Sequence, residues 1–208
     1  MTENGFDYVD LGLPSGTMWA TCNVGATKPE DEGLLFQWGR VDGYKYGDEN
    51  HNFKTNYQNR QETGHSFITQ TMSGKIYNKR NNILDLEDDA AHVNMGGKWM
   101  MPTNDQLEEL HNNTTHKVET INGVKGMMFT SKINSNQLFI PFMQGSWWNG
   151  NWEDWGRSSA CVWSSQVHDS NVNCAYRLDC DSSGIVSIND DSRSCAFSVR
   201  GVFKKIIK

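Results

Sequence analysis

The segment from Arg157 to Val202 contains most of the residues that could carry chemistry, and its composition differs from that of the rest of the chain. It holds four of the five cysteines and is rich in Ser, Asp and Asn, yet it has no Lys, Glu or Met. Codons that end in a pyrimidine can encode Asn, Ser, Asp, Cys, His, Arg and Val, but not Lys, Glu or Met. A segment randomised at asparagine-type codons would have this composition, and a surface randomised on purpose is a binding surface.

The cysteines lack the spacing of a metal or redox motif. Cys22 stands alone near the amino terminus, and Cys161, Cys174, Cys180 and Cys195 form no CxxC pair. Zinc ribbons and thioredoxin-like pairs are therefore unsupported. Free thiols are the simpler interpretation, and two disulfides among the last four cysteines are the alternative.

Catalytic and metal-binding motifs are also missing from the sequence. His111 and His116 are five residues apart, which misses the four-residue spacing that presents two ligands on one helix face. Asp181, Asp190 and Asp191 could offer oxygen ligands to Ca²⁺, although solvated acidic loops are the simpler interpretation. We therefore expect a protein that is not an enzyme and that has no cofactor or bound metal.

A tryptophan-rich stretch, Trp147-Trp-Asn-Gly-Asn-Trp-Glu-Asp-Trp155, lies just before this segment. Exposed tryptophans stack on sugars or anchor protein partners because they offer a large rigid area at low entropic cost. Tryptophans also cover cores beneath irregular loops. We expect a mixture, in which Trp147 and Trp155 are buried while others face outward.

Length and charge limit the possible classes of function. The chain has 208 residues, which fits a single domain over 1–208 with a loop-rich insertion at about 42–82. A formal net charge of −6 disfavours a nucleic-acid partner. The sequence has no run of eighteen apolar residues and no leader, so we expect no membrane span and no secretion signal of its own.

Hydrophobic patterning predicts many short strands and little helix, which is typical of an α+β domain. The predicted elements are two strands within 7–25, a helical turn within 84–93, a helix over 103–112 and a hairpin over 126–142. The helix should begin at the capping box Thr103-Asn-Asp-Gln106. Further on, alternation should turn Tyr176 and Leu178 inward and Arg177 and Asp179 outward.

Blocks of residues along nearly the whole chain resemble a repeated domain of gut Bacteroidetes and their phages. The blocks are Asp10–Thr17, Trp19-Ala20, Cys22–Ala26, Trp38-Gly39, Asp88–Trp99, Met101–Thr103, Trp163–Ser165, Ala175-Tyr176, Leu178 and Phe197–Val202. The domain is similar to formylglycine-generating enzymes and to the variable proteins of diversity-generating retroelements. This resemblance implies an α+β, C-type-lectin-like fold with short irregular antiparallel strands, one or two helices and long loops.

In such variable proteins a reverse transcriptase rewrites adenines of a C-terminal segment, and the mutated residues line an exposed ligand-binding face. The resemblance implies a variable region at about 145–202, with Trp163, Gln166 and Gly156 as scaffold. Cys161-Val162, Cys180 and Cys195-Ala196 stand where the family commonly has aromatic residues. The expected contact residues are Ser158, Cys161, Val162, His168, Asp169, Asn173, Cys174, Arg177, Asp179, Asp181, Asn189, Asp190, Ser194 and Cys195.

The expected function is therefore non-catalytic binding of a protein or glycan ligand on a cell or phage surface. The protein would be extracellular, displayed on a surface or associated with a virion. A fixed glycan-binding lectin or adhesin, with or without calcium, is the alternative. An oxidase like the formylglycine-generating enzymes is disfavoured, because it needs a specific reactive cysteine pair and the cysteines here lie where the family varies.

Overall fold

The protein is β-rich, which corrects the expected fold class. The computed structural model describes residues 1–55, 71, 73–148 and 150–205, and 47% of the structure is strand while 10% is helical. The α+β, C-type-lectin-like assignment is therefore wrong. The helical content is low because both predicted helical segments are short. The strand content is high because the hairpins after residue 113 are longer than the sequence pattern indicated.

The described part of the chain contains thirteen strands and two α-helices. The strands are β1 (Thr2–Glu3), β2 (Phe6–Asp10), β3 (Thr17–Asn23), β4 (Leu35–Gln37), β5 (Thr114–Ile121), β6 (Val124–Ser131), β7 (Gln137–Pro141), β8 (Met143–Trp148), β9 (Asn151–Val167), β10 (Cys174–Asp181), β11 (Val186–Ser192), β12 (Ala196–Ser198) and β13 (Arg200–Lys204). The helices are α1 (Ala90–Met95), which follows a 3₁₀ turn at Leu86–Asp88, and α2 (Asn104–Asn113).

The strands of the described residues form three sheets. The first has the order β1-β2-β3-β13, the second β11-β10-β9-β8-β12-β4, and the third β5-β6-β7. β12 pairs antiparallel with β4 and β8 and also meets β9 in parallel. The second sheet therefore joins the C-terminal hairpins to a strand from the first forty residues.

Several local predictions are confirmed. β2 and β3 pair antiparallel and correspond to the two strands predicted within 7–25, and β6 and β7 form the predicted hairpin. α2 begins with both hydrogen bonds of the predicted capping box between Thr103 and Gln106. Of the predicted insertion at 42–82, residues 56–70 and 72 lie outside the described residues.

Two buried tryptophans and a glutamine connect separate elements of the core. The fully buried Trp163 donates its indole N–H to the Phe36 carbonyl at 2.9 Å, and buried Trp38 donates to the Ser164 carbonyl at 2.8 Å. Gln166 is half-buried and links the start of α2 to Asn81 through its side chain. Two of the predicted scaffold residues thus connect separate elements, as a scaffold requires.

No helix among the described residues is long and apolar enough to cross a lipid bilayer.

His111 and His116 do not share a helix face, as their spacing indicated, but they come together because α2 ends between them. His111 lies in the last turn of α2 and His116 on β5, and their rings stack with centroids 5.0 Å apart. Burial, and next the neighbouring His111, lowers the pKa of His116 below its ordinary 6.5. The fold therefore favours the neutral ring.

This pair predicts a loss of stability in mild acid. As the pH falls, His116 is protonated near pH 6.5 in the unfolded chain but only at a lower pH in the folded chain. The free energy of unfolding should therefore fall as the pH drops from 7.5 to 5.5. Urea unfolding at both pH values should show a smaller fall for His116→Gln than for the wild type. Equal falls in the two proteins would contradict the prediction.

Candidate ligand-binding site

A bulge in β9 shapes the candidate site. Met143 pairs with Ser159 and Gly145 with Asp154, so residues 155–158 of β9 lie opposite Gln144 alone. Two residues of the bulge are left-handed, Gly156 with φ 57° and Arg157 with φ 55°. This conformation suits Gly156, the predicted scaffold glycine, but it is uncommon for an arginine. Bulges of this kind redirect side chains, and here Trp155 and Arg157 line different pockets.

Trp155 forms a wall of the first pocket, which has a volume of about 300 Å³. We call it the Arg177 pocket. The lining residues used below are Trp155, Cys161, Arg177, Asp179, Asp181 and Ile185. Because Cys161 pairs with Asp179 across β9 and β10, these side chains share one face of the sheet.

Arg177 lies at the centre of a charged network beside this pocket. Its guanidinium donates to the Asp179 carboxylate and the Cys161 thiol and lies 3.2 Å from an Asp191 carboxylate oxygen. The guanidinium carbon is also 4.9 Å from the centre of the Phe197 ring. Only 13% of the Arg177 side chain is exposed, so its position is fixed by these partners.

Burial sets the protonation of the groups around Arg177. It raises the pKa of Asp179 and of Asp191, and the charge of Arg177 opposes both shifts. It also raises the pKa of Cys161 well above the ordinary thiol value. Because the thiolate is the reactive form, this buried thiol is a poor nucleophile at neutral pH.

The other cysteines of the C-terminal segment share this property. Burial raises the pKa of Cys180 and Cys195, and it raises that of Cys174 to about 12. All five cysteines of the chain are free thiols in the structure. The segment therefore offers hydrogen-bonding and packing groups rather than thiolate chemistry.

Comparison with protein families, curated proteins and solved structures finds no match.

The predicted contact residues divide between two faces of the β9–β10–β11 region. Cys161, Arg177, Asp179, Asp181 and Asn189 share the face of the Arg177 pocket. On the opposite face, the His168 ring lies on Tyr176 with centroids 4.7 Å apart. Tyr176 pairs with Asp190, whose carboxylate is 3.8 Å from His168. The outward-facing residues of the predicted set on these strands therefore form two groups, one on each face of the sheet.

The rest of the predicted set lies beside His168 on the opposite face, in the bulge, in a turn or in the interior. The structure places His168, Asp169, Cys174 and Asp190 together on the Tyr176 face, Ser158 in the bulge, Asn173 in the turn before β10, and Val162, Ser194 and Cys195 in the interior. Since the last three are buried, they are not part of an exposed contact surface. Cys161 is buried as well, yet it forms part of the pocket wall.

The expected outward orientation of Arg177 and Asp179 holds only in part. Leu178 is buried on the opposite face as predicted, whereas Tyr176, also expected to face inward, is only half-buried. Arg177, however, is mostly covered and pairs with two carboxylates. Replacing it would leave Asp191 without its ion-pair partner, so Arg177 stabilises the platform as well as lining the pocket.

The tryptophan-rich stretch partly matches its prediction. Trp147 is buried as expected, and its ring contacts that of His51 at a tilt and that of Trp152 edge to face. Trp148 is the most exposed tryptophan of the stretch at 40%. Trp155 is half-buried rather than buried, with one side on Phe197 and the other on the pocket.

A larger polar pocket lies on the other side of the bulge, and sequence reasoning missed it. Its volume is about 610 Å³, and Arg157 lines it together with Glu32, Lys45, Tyr46 and Gln144. The Glu32 carboxylate accepts the Gln144 backbone N–H at 2.8 Å, and burial raises its pKa. These residues come from separate parts of the chain, and no motif in the sequence links them.

The acidic residues considered for calcium do not converge. Asp181 accepts hydrogen bonds from its own turn, Asp191 lies beside Arg177, and Asp190 lies on the opposite face. Within the described ranges, no three His, Cys, Asp or Glu side chains come together in a group that could hold a metal ion.

Proposed function

We propose that the protein is a non-catalytic ligand-binding protein whose contact surface surrounds the Arg177 pocket, at a cell or virion surface. We further propose that a retroelement diversifies the segment at about 145–202. One observation carries the proposal: Cys161, Arg177, Asp179 and Asp181, all expected as contact residues, line the same pocket.

The architecture suits a surface whose side chains change. Leu178 and Val162 are buried on the inner face of the sheet, while Asn189 and Ser158 are exposed around the pocket. A packed platform that carries adaptable polar groups can alter its partner without unfolding, as antibody loops do. The neutral thiols support a non-catalytic role, because a cysteine nucleophile needs its thiolate form.

Diversification can be tested in the DNA that surrounds the gene. We expect an imperfect repeat of the coding sequence for residues of about 145–202, differing at adenines and lying beside a reverse transcriptase gene. Absence of both the repeat and the reverse transcriptase would reject diversification. A fixed protein- or glycan-binding module would then be the better interpretation of the same pocket.

Tolerance of the surface can be tested by stability. Asn189→Tyr, a change that a single adenine substitution in an asparagine codon produces, should alter the free energy of unfolding by less than about 1 kcal/mol, because Asn189 is exposed. Leu178→Ala is the matched inward control on the paired strand and should cost about 2–5 kcal/mol. Chemical denaturation measures both. A comparable loss in the two variants would mean that the outer face is structural.

A further inference from the structure

We propose that the Arg177 pocket binds a cationic side chain, a lysine or arginine presented by a protein ligand; this inference rests on the proposed ligand-binding function. It is argued from the charge of the lining, from the way the protein already holds its own arginine, and from the apolar walls of the pocket.

The charge of the lining favours a cation. Asp179 and Asp181 line the pocket and Asp191 lies just behind it, whereas Arg177 is the cation of this network. The guanidinium of Arg177 is already held by two carboxylates and a thiol. An anionic ligand would therefore meet an excess of negative charge, and a cationic ligand would compensate it.

Acceptor atoms remain for such a ligand. The side-chain hydrogen bonds that Asp181 accepts from Ser183 and Ile185 all go to Oδ1. Oδ2 of Asp179 accepts from the Asn189 amide at 3.4 Å, which is a long hydrogen bond. Each carboxylate thus has an oxygen with capacity for a charge-assisted hydrogen bond from an ammonium or guanidinium group.

Arg177 shows how this part of the protein holds a cation. Its guanidinium is placed between carboxylates, with the Phe197 ring 4.9 Å away. The pocket offers the same combination one layer further out, with Asp179 and Asp181 as carboxylates and the Trp155 ring as the aromatic group. Indole is the strongest cation–π partner among the aromatic side chains.

Apolar walls and size fit a long side chain. Ile185, which is 61% exposed, stands at the pocket with Trp155. Such surfaces cover the methylene stem of a lysine or arginine while its charged head reaches the carboxylates. A volume of about 300 Å³ accommodates one side chain of this length.

A titration with matched probes tests the inference. We would add Nα-acetyl-L-arginine amide, or its uncharged isostere Nα-acetyl-L-citrulline amide, to the ¹⁵N-labelled full chain and record backbone and indole NMR signals. The arginine probe should shift the signals of Asp179, Asp181, Ile185 and the Trp155 indole. The citrulline probe should bind at least about tenfold more weakly, since it lacks the charge-assisted hydrogen bonds.

Two variants of equal charge change sharpen the test. Asp181→Asn keeps an oxygen for the turn at Ser183 and should weaken arginine binding about tenfold. Asp105→Asn, an exposed position on α2, removes the same charge and should leave binding unchanged. Trp155→Leu should also weaken binding, because it removes the aromatic wall.

The outcomes separate this inference from the function on which it rests. Equal binding of the two probes, arginine shifts outside the pocket, or equal affinities of Asp181→Asn and Asp105→Asn would overturn it. If citrulline amide or Nα-acetyl-L-glutamate amide occupies the pocket in place of the arginine probe, the cationic preference is wrong and ligand binding stands. If no probe shifts pocket signals, the inference also fails, and the coding-repeat and reverse-transcriptase test decides the proposed function.

Discussion

Replacing Arg200 by methionine is expected to lower the free energy of unfolding by at least about 3 kcal/mol. Arg200 is fully buried on β13 and donates to the Asn23 side chain at 2.9 Å, the Ala20 carbonyl at 3.0 Å and the Phe139 carbonyl at 3.1 Å. These acceptors belong to β3 and β7, so one side chain joins two sheets. Methionine fills much of the space but leaves three buried oxygens without a donor.

The charge state strengthens this expectation. Burial lowers the pKa of Arg200 to about 10, so the guanidinium stays protonated at pH 7 and its donors remain available. Urea denaturation at pH 7 measures the loss. Arg200→Lys should give an intermediate loss, since one ammonium cannot reach all three acceptors.

Lys204→Met on the same strand is the matched control, because Lys204 is exposed. It should change the free energy of unfolding by less than about 0.5 kcal/mol. If Arg200→Met costs no more than this control, water or a local rearrangement satisfies the acceptors, and Arg200 does not join the two sheets.

Local structure could be predicted from the sequence where one short segment decides it. The capping box needs only Thr103 and Gln106, and the first hairpin needs only the turn at Pro14–Gly16. The fold class failed because it depends on how far the strands extend. β9 continues over residues 151–167 through a bulge, and its left-handed Arg157 has no local sequence signal.

The candidate site could be predicted only in part. The resemblance implied Arg177 and Asp179 as contact residues but not Trp155 or Ile185, because the latter reach the pocket through the bulge and a turn. The division of these residues between two sheet faces does have a signal in the sequence. With the turn after Asp181 fixed, pairing in register places Asp190 opposite Tyr176 and Asn189 opposite Arg177. The polar pocket had no such signal, since its residues are distant in sequence.

Replacing Trp163 by alanine should cost about 3–5 kcal/mol, the usual range for a buried tryptophan. Trp163 is fully buried on β9, and its ring lies 4.7 Å from that of Phe197. Its indole N–H also satisfies the Phe36 carbonyl on β4. Alanine would therefore open a cavity and leave a buried carbonyl without its donor.

Trp163→Phe separates most of these two contributions, because it removes the indole donor but keeps most of the ring volume. We expect it to cost less than half of the Trp163→Ala loss. Trp148→Ala, in the same sheet but 40% exposed, is the control and should cost clearly less. Chemical denaturation of the three variants gives the comparison.

Trp163→Ala also tests whether packing in the core supports ligand binding in the pocket. The Phe197 ring contacts both the Trp163 ring and the Arg177 guanidinium. Loss of the Trp163 ring should therefore release Phe197 and weaken binding of the arginine probe even where the chain remains folded. A Trp163→Ala protein that melts like the Trp148→Ala control would show that the platform beneath the pocket is not rigid, and the argument for a tolerant binding face would lose its physical basis.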